Sequence, residues 1–199
     1  AAGIIPIAEA LKSNKGLKFL GLDSNEIGEV GGCLLAEALT VNKTLETLQL
    51  RDCNIKDQGI YALASMLETN DSLLHLDLFG NGITDHGGMA LSNMLLKNNS
   101  LISLNVNKHY SQQTGWHDHY PNYFSDDVLY SFLENMASNF SLESLSITHT
   151  NEHFFGLGYF SGDSRRIAGT KNMKRLDVNL DRNKANREAV FEAAEQGSF

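Results

Sequence analysis

The sequence predicts an α/β solenoid, a right-handed β-α superhelix bent into a horseshoe arc. About six parallel strands are expected on the concave side and helices on the convex side. Three observations support this fold class. A leucine pattern that begins at Leu17 returns at Leu45 and Leu73 at a constant interval, a helical pattern separates its copies, and no copy can bury its apolar face without a neighbour.

Each strand is predicted from one apolar pattern, whose first copy is Leu17-x-x-Leu20-x-Leu22-x-x-Asn25-x-Ile27. Successive side chains of a strand point to opposite faces, so Leu20 and Leu22 are expected in the core, with Leu17 and Ile27 closing the layer. Later copies begin at Leu45, Leu73, Leu101, Leu142 and Met173.

A helix is predicted in the second half of each unit. Ile4, Ile7, Ala8 and Leu11 lie at the i, i+3, i+4, i+7 spacing of one helix face. The same face returns in the next units as Gly32, Leu35, Ala36 and Leu39; as Ile60, Leu63, Ala64 and Leu67; and as Gly88, Leu91, Ser92 and Leu95. The alternation of strand and helix therefore continues along the chain.

These motifs resemble the leucine-rich repeat family, specifically its ribonuclease-inhibitor-like subclass. The resemblance is strongest over residues 3–106 and implies one strand and one full helix per unit. It also implies Asn or Cys at the ninth motif position, which here is Asn25, Cys53 and Asn81. The two asparagines are expected to form a buried hydrogen-bond ladder along the stack, and Cys53 is interpreted as a small buried thiol.

A second asparagine column follows the helices. Because Asn tolerates left-handed backbone, we expect this column to end the helices in that conformation. Three members of this column and a fourth asparagine, Asn139, also fit the N-glycosylation pattern, but their phase with the helix ends favours capping. The column is Asn14, Asn42, Asn70, Asn98, and the glycosylation matches begin at Asn42, Asn70, Asn98 and Asn139.

The predicted organisation is a single domain over residues 1–199, expected to be a fragment of a longer chain because its first unit lacks a strand. Residues 3–106 form regular repeats, 107–172 irregular repeats with long loops, and 173–199 a last strand and a capping helix. The fifth copy of the strand motif comes later than the period requires, so an insertion is placed between positions 107 and 124. The helix after it, at 126–138, is expected to bury Leu129, Phe132, Leu133 and Met136.

Two irregular segments, 107–124 and 148–162, hold nine of the 17 aromatic residues, so they are singled out as candidate sites. One interpretation is that the aromatics seal the solenoid. A second is a partner-binding prominence, and a third is a metal site formed by clustered imidazoles. The partner-binding candidates are Tyr110, Trp116, Tyr120, Phe154 and Phe155, and the metal candidates are His109, His117, His119 and His149.

The concave face is the other candidate site. Strand alternation places three rows of side chains on it, wide enough for a protein surface and too open for a small-molecule pocket. Phe19 and Phe79 are expected as aromatic anchors and Asp23, Arg51 and Asp77 as a polar rim; the alternative is a solvated face without a partner. The full set is Phe19, Asp23, Gln49, Arg51, His75, Asp77, Phe79, Asn105 and Asn107.

Composition excludes few functions. A net charge of −8 argues against nucleic acid or anionic lipid as the main partner, and no apolar run is long enough to cross a membrane. Only two cysteines occur, Cys33 and Cys53, so no disulfide framework is expected, which favours a reducing, cytoplasmic compartment.

The predicted function is a non-catalytic protein–protein interaction module, monomeric and without cofactor. The resemblance includes immune receptors, the ribonuclease inhibitor and bacterial effectors that act in host cells, so an effector role is one expectation. A regulator similar to GTPase-activating proteins and a protein with a histidine-loop metal site are the alternatives. No catalytic Ser-His-Asp or Cys-His pairing occurs at a recognisable spacing.

Overall fold

The computed structural model describes residues 3–107, 121–136 and 138–147. Five parallel strands form one sheet in sequential order, and each is preceded by a helix. This confirms the predicted α/β solenoid. The elements are α1 (Ile4–Ser13), β1 (Phe19–Gly21), α2 (Gly28–Val41), β2 (Thr47–Gln49), α3 (Lys56–Leu67), β3 (His75–Asp77), α4 (Asp85–Met94), β4 (Ser103–Asn105), α5 (Asp126–Met136) and β5 (Ser144–Ser146).

The core is a continuous layer between the sheet and the helices. The motif leucines Leu45, Leu48 and Leu50 of the second unit have no exposed surface, and their equivalents in the third unit are also buried. Helices α2 and α3 approach closely at glycine: a Cβ on Gly32 would lie 3.1 Å from the Gly59 Cα atom. Glycine at these two positions therefore lets α2 and α3 pack closely enough to seal the core between them.

The asparagines after the helices form a ladder that joins neighbouring units. Asn70 Nδ2 donates to the carbonyl oxygens of Leu39 (2.7 Å) and Asn42 (3.1 Å), and its Oδ1 accepts from the amides of Ser72 and Leu73. Asn42, Asn98 and Asn139 make the same bonds in their own units. Each side chain thus supplies partners to backbone groups that the helix end leaves unpaired.

The predicted left-handed helix ends are wrong. Asn14 and Asn42 have extended backbone, with φ −69° and −74°, and the cap residues Glu68 and Leu95 are right-handed. The asparagine is required for its side chain rather than for its backbone freedom. Because the amides of Asn42, Asn70, Asn98 and Asn139 are buried and hydrogen-bonded, a glycan at any of them would break the ladder.

The ladder at the ninth motif position is confirmed for Asn81. Its Nδ2 donates to the Leu50 carbonyl at 2.6 Å, and its Oδ1 accepts from the amides of Cys53 and Ile55. Cys53 is buried, as predicted, and its thiol donates to the Leu22 carbonyl at 3.1 Å, the equivalent bond one unit earlier.

Asn122 continues this ladder past the insertion. It donates to the carbonyls of Leu78 and Val106 and accepts from the amides of Asn81 and Ile83. Phe124 then takes the core position that Ile83 holds one unit earlier, and is buried rather than a loop aromatic. The extra residues therefore lie before Asn122, inside the interval that the sequence indicated.

Helix α5 differs from its predicted form. It ends at Met136, and Val128 is buried together with Phe132 and Met136, whereas Leu129 is only partly buried. Val128 is buried because it and Phe124 pack against Gly88 of α4, where a Cβ would lie 2.7 Å from a Val128 methyl carbon. The side chain of Leu133, the remaining residue of the predicted face, lies outside the description.

The first unit is more exposed than the sequence predicted. Ile7, Leu17 and Asn25 are exposed, although the pattern placed them in the core or the ladder. The physical reason is that their buried equivalents pack against the preceding unit, whereas the described residues include no unit before α1.

Several predictions lie outside the described residues. These are the sixth strand, the capping helix and most of the irregular segments 107–124 and 148–162. In the part of the chain that the structure describes, both cysteines are free thiols and no helix is long and apolar enough to cross a membrane.

We predict that replacing a ladder asparagine is costly. Asn98→Ala should lower the free energy of unfolding by roughly 2–4 kcal/mol, because it leaves buried backbone groups at both ends of the lost amide unpaired. Urea unfolding measures the change. Asn99→Ala is the matched control, since Asn99 is exposed and its amide donates to the Lys97 carbonyl at 3.3 Å; a shift below about 0.5 kcal/mol is expected. Equal costs for the two would contradict the ladder.

We also predict a pH dependence from Cys53, because burial raises the pKa of its thiol from 9.0 to about 11. Folding favours the protonated thiol, so its stabilisation is complete below pH 9 and is lost as pH rises towards 11. Wild type should lose up to about 2.7 kcal/mol more than Cys53→Ser across that window, from roughly 1.4 kcal/mol per unit. Identical pH profiles for the two proteins in urea unfolding would contradict this.

Candidate functional site

The side chains of the concave face follow the strand pairing. Phe19 pairs with Thr47, Thr47 with His75, and so on across all five strands in parallel alignment. The strand register therefore aligns the residues of the first two predicted rows side by side across the sheet. The first is Phe19, Thr47, His75, Ser103 and Ser144, and the second is Gly21, Gln49, Asp77, Asn105 and Ser146.

Asp77 is the centre of a hydrogen-bond network on this face. One carboxylate oxygen accepts from Arg51 Nε at 2.6 Å. The other accepts from Asn105 Nδ2 at 3.0 Å and from the Phe79 backbone amide at 3.1 Å. The carboxylate thus joins β2, β3 and β4, and its side chain is only 13% exposed although it lies on an open surface.

Arg51 is held by contacts to several neighbours. Besides the ion pair with Asp77, its guanidinium carbon lies 6.0 Å from the centre of the Phe79 ring, at the limit of a cation–π contact. Its backbone amide donates to Asp23 Oδ1 at 2.8 Å, and Asn105 Oδ1 accepts from the Asn107 amide at 3.1 Å. A chain of polar contacts therefore runs from Asp23 in the first unit to Asn107 in the fourth.

These contacts change how the predicted polar rim is understood. Arg51 joins the other two residues: its side chain pairs with Asp77, and its backbone amide donates to Asp23. The Arg51 side chain is 48% exposed, so the ion pair with Asp77 contributes at most about 1 kcal/mol to stability. Its main effect is to fix side-chain positions across neighbouring strands before any partner arrives.

The two predicted aromatic anchors differ in exposure. Phe19 is 53% exposed on the edge strand β1, whereas Phe79 is half-buried beside Arg51. His75 on β3 is exposed, and Gln49 on β2 is half-buried. The face thus offers an apolar group at one end and a fixed polar surface over β2 to β4.

The candidate loop residues cannot be placed in the same way. Tyr110, Trp116, Tyr120, Phe154 and Phe155 lie outside the described residues, as do His109, His117, His119 and His149. Among the side chains that the structure does describe, no group of three or more His, Cys, Asp or Glu could hold a metal ion.

The base of the insertion is described. A depression of about 470 Å³ lies there beside the start of α4, and exposed Tyr123 borders it. Ser125 donates its amide to Asp85 Oδ1 at 2.7 Å, which fixes the returning chain against α4. The depression is lined by Thr84, Asp85, His86, Tyr123, Phe124 and Ser125.

Sequence reasoning missed two features, one at the base of the insertion and one on the concave face. The first is the ladder role of Asn122. Adding one repeat length to Asn81 leads to His109 instead, because the insertion shifts the phase. Counting back from the helix that follows the insertion would have identified Asn122. The second is the Asp77 network. Its signal was present, since Asp77 and Asn105 are separated by one repeat length and are therefore adjacent in one row.

We predict that Asp77 carries the network. Asp77→Ala should lower the free energy of unfolding by about 1–2 kcal/mol, because the Phe79 amide and Asn105 lose their acceptor. The control is Asp71→Ala, an exposed acid of the same unit, with an expected change within about 0.5 kcal/mol. Urea unfolding of both variants decides; a cost for Asp77→Ala no greater than for Asp71→Ala would show that the network is not formed.

Comparison with known proteins agrees with the repeat architecture. A family model described as Leucine Rich repeat matches residues 41–64 and 69–92. A search of curated protein sequences finds no match to this chain.

Two solved structures share the fold at low sequence identity. The first is leiomodin-1 actin-binding site 2, with 18% identity, a TM-score of 0.72 and coverage of 96% of this chain and 95% of that one. The second is the tropomodulin C-terminal domain from Caenorhabditis elegans, with 17% identity, the same TM-score and coverage of 96% and 98%. The motif, the sheet and these matches together support a leucine-rich repeat protein whose fold is an α/β solenoid.

Proposed function

We propose that this chain is a non-catalytic module that binds a protein partner through its concave face. The observation that carries the proposal is the fixed network of Arg51, Asp77 and Asn105, together with the exposed ring of Phe19 at the β1 end of the same face. Interfaces combine apolar anchors with polar groups, and side chains that are already ordered lose less entropy on binding.

The dimensions of the face suit a macromolecule. Five strands at about 4.8 Å span roughly 19 Å, and the surface is an open sheet rather than a cleft. A partner with one apolar protrusion for Phe19 and a polar surface for the Arg51–Asp77–Asn105 segment fits this arrangement. The exposed His75 lies on β3, two residues before Asp77, and would be covered in the complex.

Actin is the first partner that we propose to test. The leiomodin-1 region that shares this fold is described as an actin-binding site. At 18% identity the likeness concerns the fold alone, so concave-face binding and actin as the ligand are separate proposals with separate outcomes.

The finer predictions stay proposals. The repeat period and the complete helix in each unit support the ribonuclease-inhibitor-like subclass. We retain five further proposals on the sequence arguments given above. They are an effector role in a host cell, a cytoplasmic location, a monomeric state, the lack of a nucleic-acid or membrane partner, and the division of residues 1–199 into three parts. The GTPase-activating and histidine-loop metal alternatives gain no support from any contact among the described residues.

The expected result of an aromatic scan is specific. Phe19→Ala should weaken partner binding by about 10-fold or more, as removal of an exposed anchor does. Tyr61→Ala on α3 is the matched control, since Tyr61 is 45% exposed and lies on the helical side. We expect it to change affinity by less than about 2-fold.

Binding to actin is measured first by co-sedimentation of the wild-type chain, and then of the Phe19→Ala and Tyr61→Ala variants. If actin does not bind, the partner is taken from affinity capture and the same two variants are compared with it. Loss of binding with Tyr61→Ala and not with Phe19→Ala would place recognition on the helices and overturn the concave-face proposal. Absence of actin binding overturns only the choice of partner.

A further inference from the structure

A column of outward-facing apolar residues crosses the five described helices on the side of the chain opposite to the sheet. Its first four members follow one another at the repeat interval of 28 residues, which also separates Asn70 from Asn98. The fifth lies 41 residues further on, the offset that the insertion gives the ladder residues Asn98 and Asn139. We name this column the helical stripe; it consists of Ile5, Cys33, Tyr61, Met89 and Tyr130.

The fold does not require apolar residues in the helical stripe. Each helix closes the core with other positions, and α3, for example, buries Ile60, Leu63 and Leu67 completely. The stripe residues remain at the surface, where Cys33 is half-buried. The exposed fractions of the other four are 51% for Ile5, 45% for Tyr61, 38% for Met89 and 49% for Tyr130.

The neighbouring column of the same helices is polar throughout. It lies one helical turn after the stripe, and all of its residues are exposed. Single exposed apolar residues are normal on a soluble protein, whereas an aligned apolar surface with a polar border is typical of an interaction site. This second column is Glu9, Glu37, Ser65, Asn93 and Glu134.

The polar border of the helical stripe is acidic. Lys12 Nζ bonds both Glu37, at 2.7 Å, and Glu9, at 2.9 Å, so one ammonium group faces two carboxylates. The hydrogen bond to Glu37 and then that to Glu9 are the largest causes that raise the pKa of Lys12. On α5, Glu134 lies one turn after Tyr130 and Asp127 about one turn before it, and both acids are exposed. The border therefore carries net negative charge.

We propose that the helical stripe binds a basic amphipathic helix of a protein partner, which lies across α1 to α5. Neighbouring packed helices are about 8–10 Å apart, and seven residues of an α-helix advance about 10.5 Å. An apolar residue at every seventh position of the partner would therefore meet one stripe residue on each successive helix. Lysine or arginine beside these apolar residues would pair with the glutamates of the border.

The acidic border favours this partner over a second copy of the chain. A second copy would bring its own glutamates against those of the first, and a net charge of −8 opposes that contact. The tyrosines and methionine of the stripe are residue types that are enriched in the cores of protein interfaces. This partner is additional to the one proposed for the concave face, because the helices lie on the other side of the sheet.

Synthetic peptides serve as the probes for this surface. The lysine peptide has about 28 residues, which as a helix span roughly 42 Å. Each heptad has leucine at its first and fourth positions and lysine at the positions that flank them. A glutamate peptide replaces every lysine with glutamate, and a scrambled peptide keeps the lysine composition but distributes the leucines around the helix. Binding to the 199-residue chain is measured by titration calorimetry.

Cys33 reports whether the peptide lies on the stripe. Its thiol is free and half-buried, whereas Cys53 is buried and burial raises the pKa of that thiol to about 11. An alkylating reagent near neutral pH therefore modifies Cys33 first. The lysine peptide at saturation should slow alkylation of Cys33 by about 10-fold or more, because most molecules then have the stripe covered.

Tyr61→Ala is the test variant, since Tyr61 lies at the centre of the stripe. It should weaken binding of the lysine peptide by about 10-fold or more, as loss of a central aromatic anchor does. Val41→Ala is the matched control, because Val41 is 54% exposed at the end of α2 and lies outside the stripe; a change below about 2-fold is expected. Tyr61→Ala leaves the concave face intact, so it remains a control for the concave-face partner.

The two control peptides test the chemistry of the partner. The glutamate peptide should not bind measurably, and the scrambled peptide should bind about 10-fold more weakly than the lysine peptide. An equal affinity of the lysine and glutamate peptides, equal effects of Tyr61→Ala and Val41→Ala, or unchanged alkylation of Cys33 at saturation would each overturn the proposal. Slower alkylation at high protein concentration without peptide, with a dimer in sedimentation equilibrium, would assign the stripe to a second copy and also overturn it.

Discussion

The stack depends on buried side-chain amides that satisfy backbone groups of the neighbouring unit. Every strand of the described sheet is short, so the sheet alone pairs few backbone groups and the turns on both sides of it must be satisfied in another way. Asn70 and Asn81 represent the two solutions, one after the helices and one after the strands. Each amide bonds to two units at once, so the ladders set the distance and orientation between units.

This constraint gives the concave face its properties. Because ladders and core fix each unit relative to the next, side chains one repeat length apart are held side by side, and Asp77 can reach both Arg51 and Asn105. The polar side chains of an open face are thereby fixed in place, and under the proposed function they would lose little entropy on binding.

Periodicity predicted the fold because leucine spacing reports burial directly. Strand alternation also predicted the concave rows correctly. Periodicity could not predict which residue occupies each position after the insertion. Adding one repeat length to Asn81 leads to His109, because the insertion shifts the repeat phase. Val128 is in the core because Gly88 leaves room for its side chain. The sequence identified the asparagines that follow the helices but assigned them the wrong role. An asparagine at a helix end is compatible both with left-handed backbone and with side-chain hydrogen bonds, and the position in the sequence does not distinguish the two. The Arg51–Asp77 pair depends on side-chain geometry that no spacing specifies.

The central claim is that ladder amides are buried and bonded in solution. Nuclear magnetic resonance of the wild-type chain can measure the exchange of the side-chain NH₂ protons of Asn42, Asn70, Asn81, Asn98 and Asn122. The account predicts exchange as slow as that of the β3 backbone amides, while the exposed Asn99 exchanges rapidly. Fast exchange of all asparagine side chains in a folded chain would contradict the claim, because the stack would then be held by apolar packing and strand pairing without the ladders.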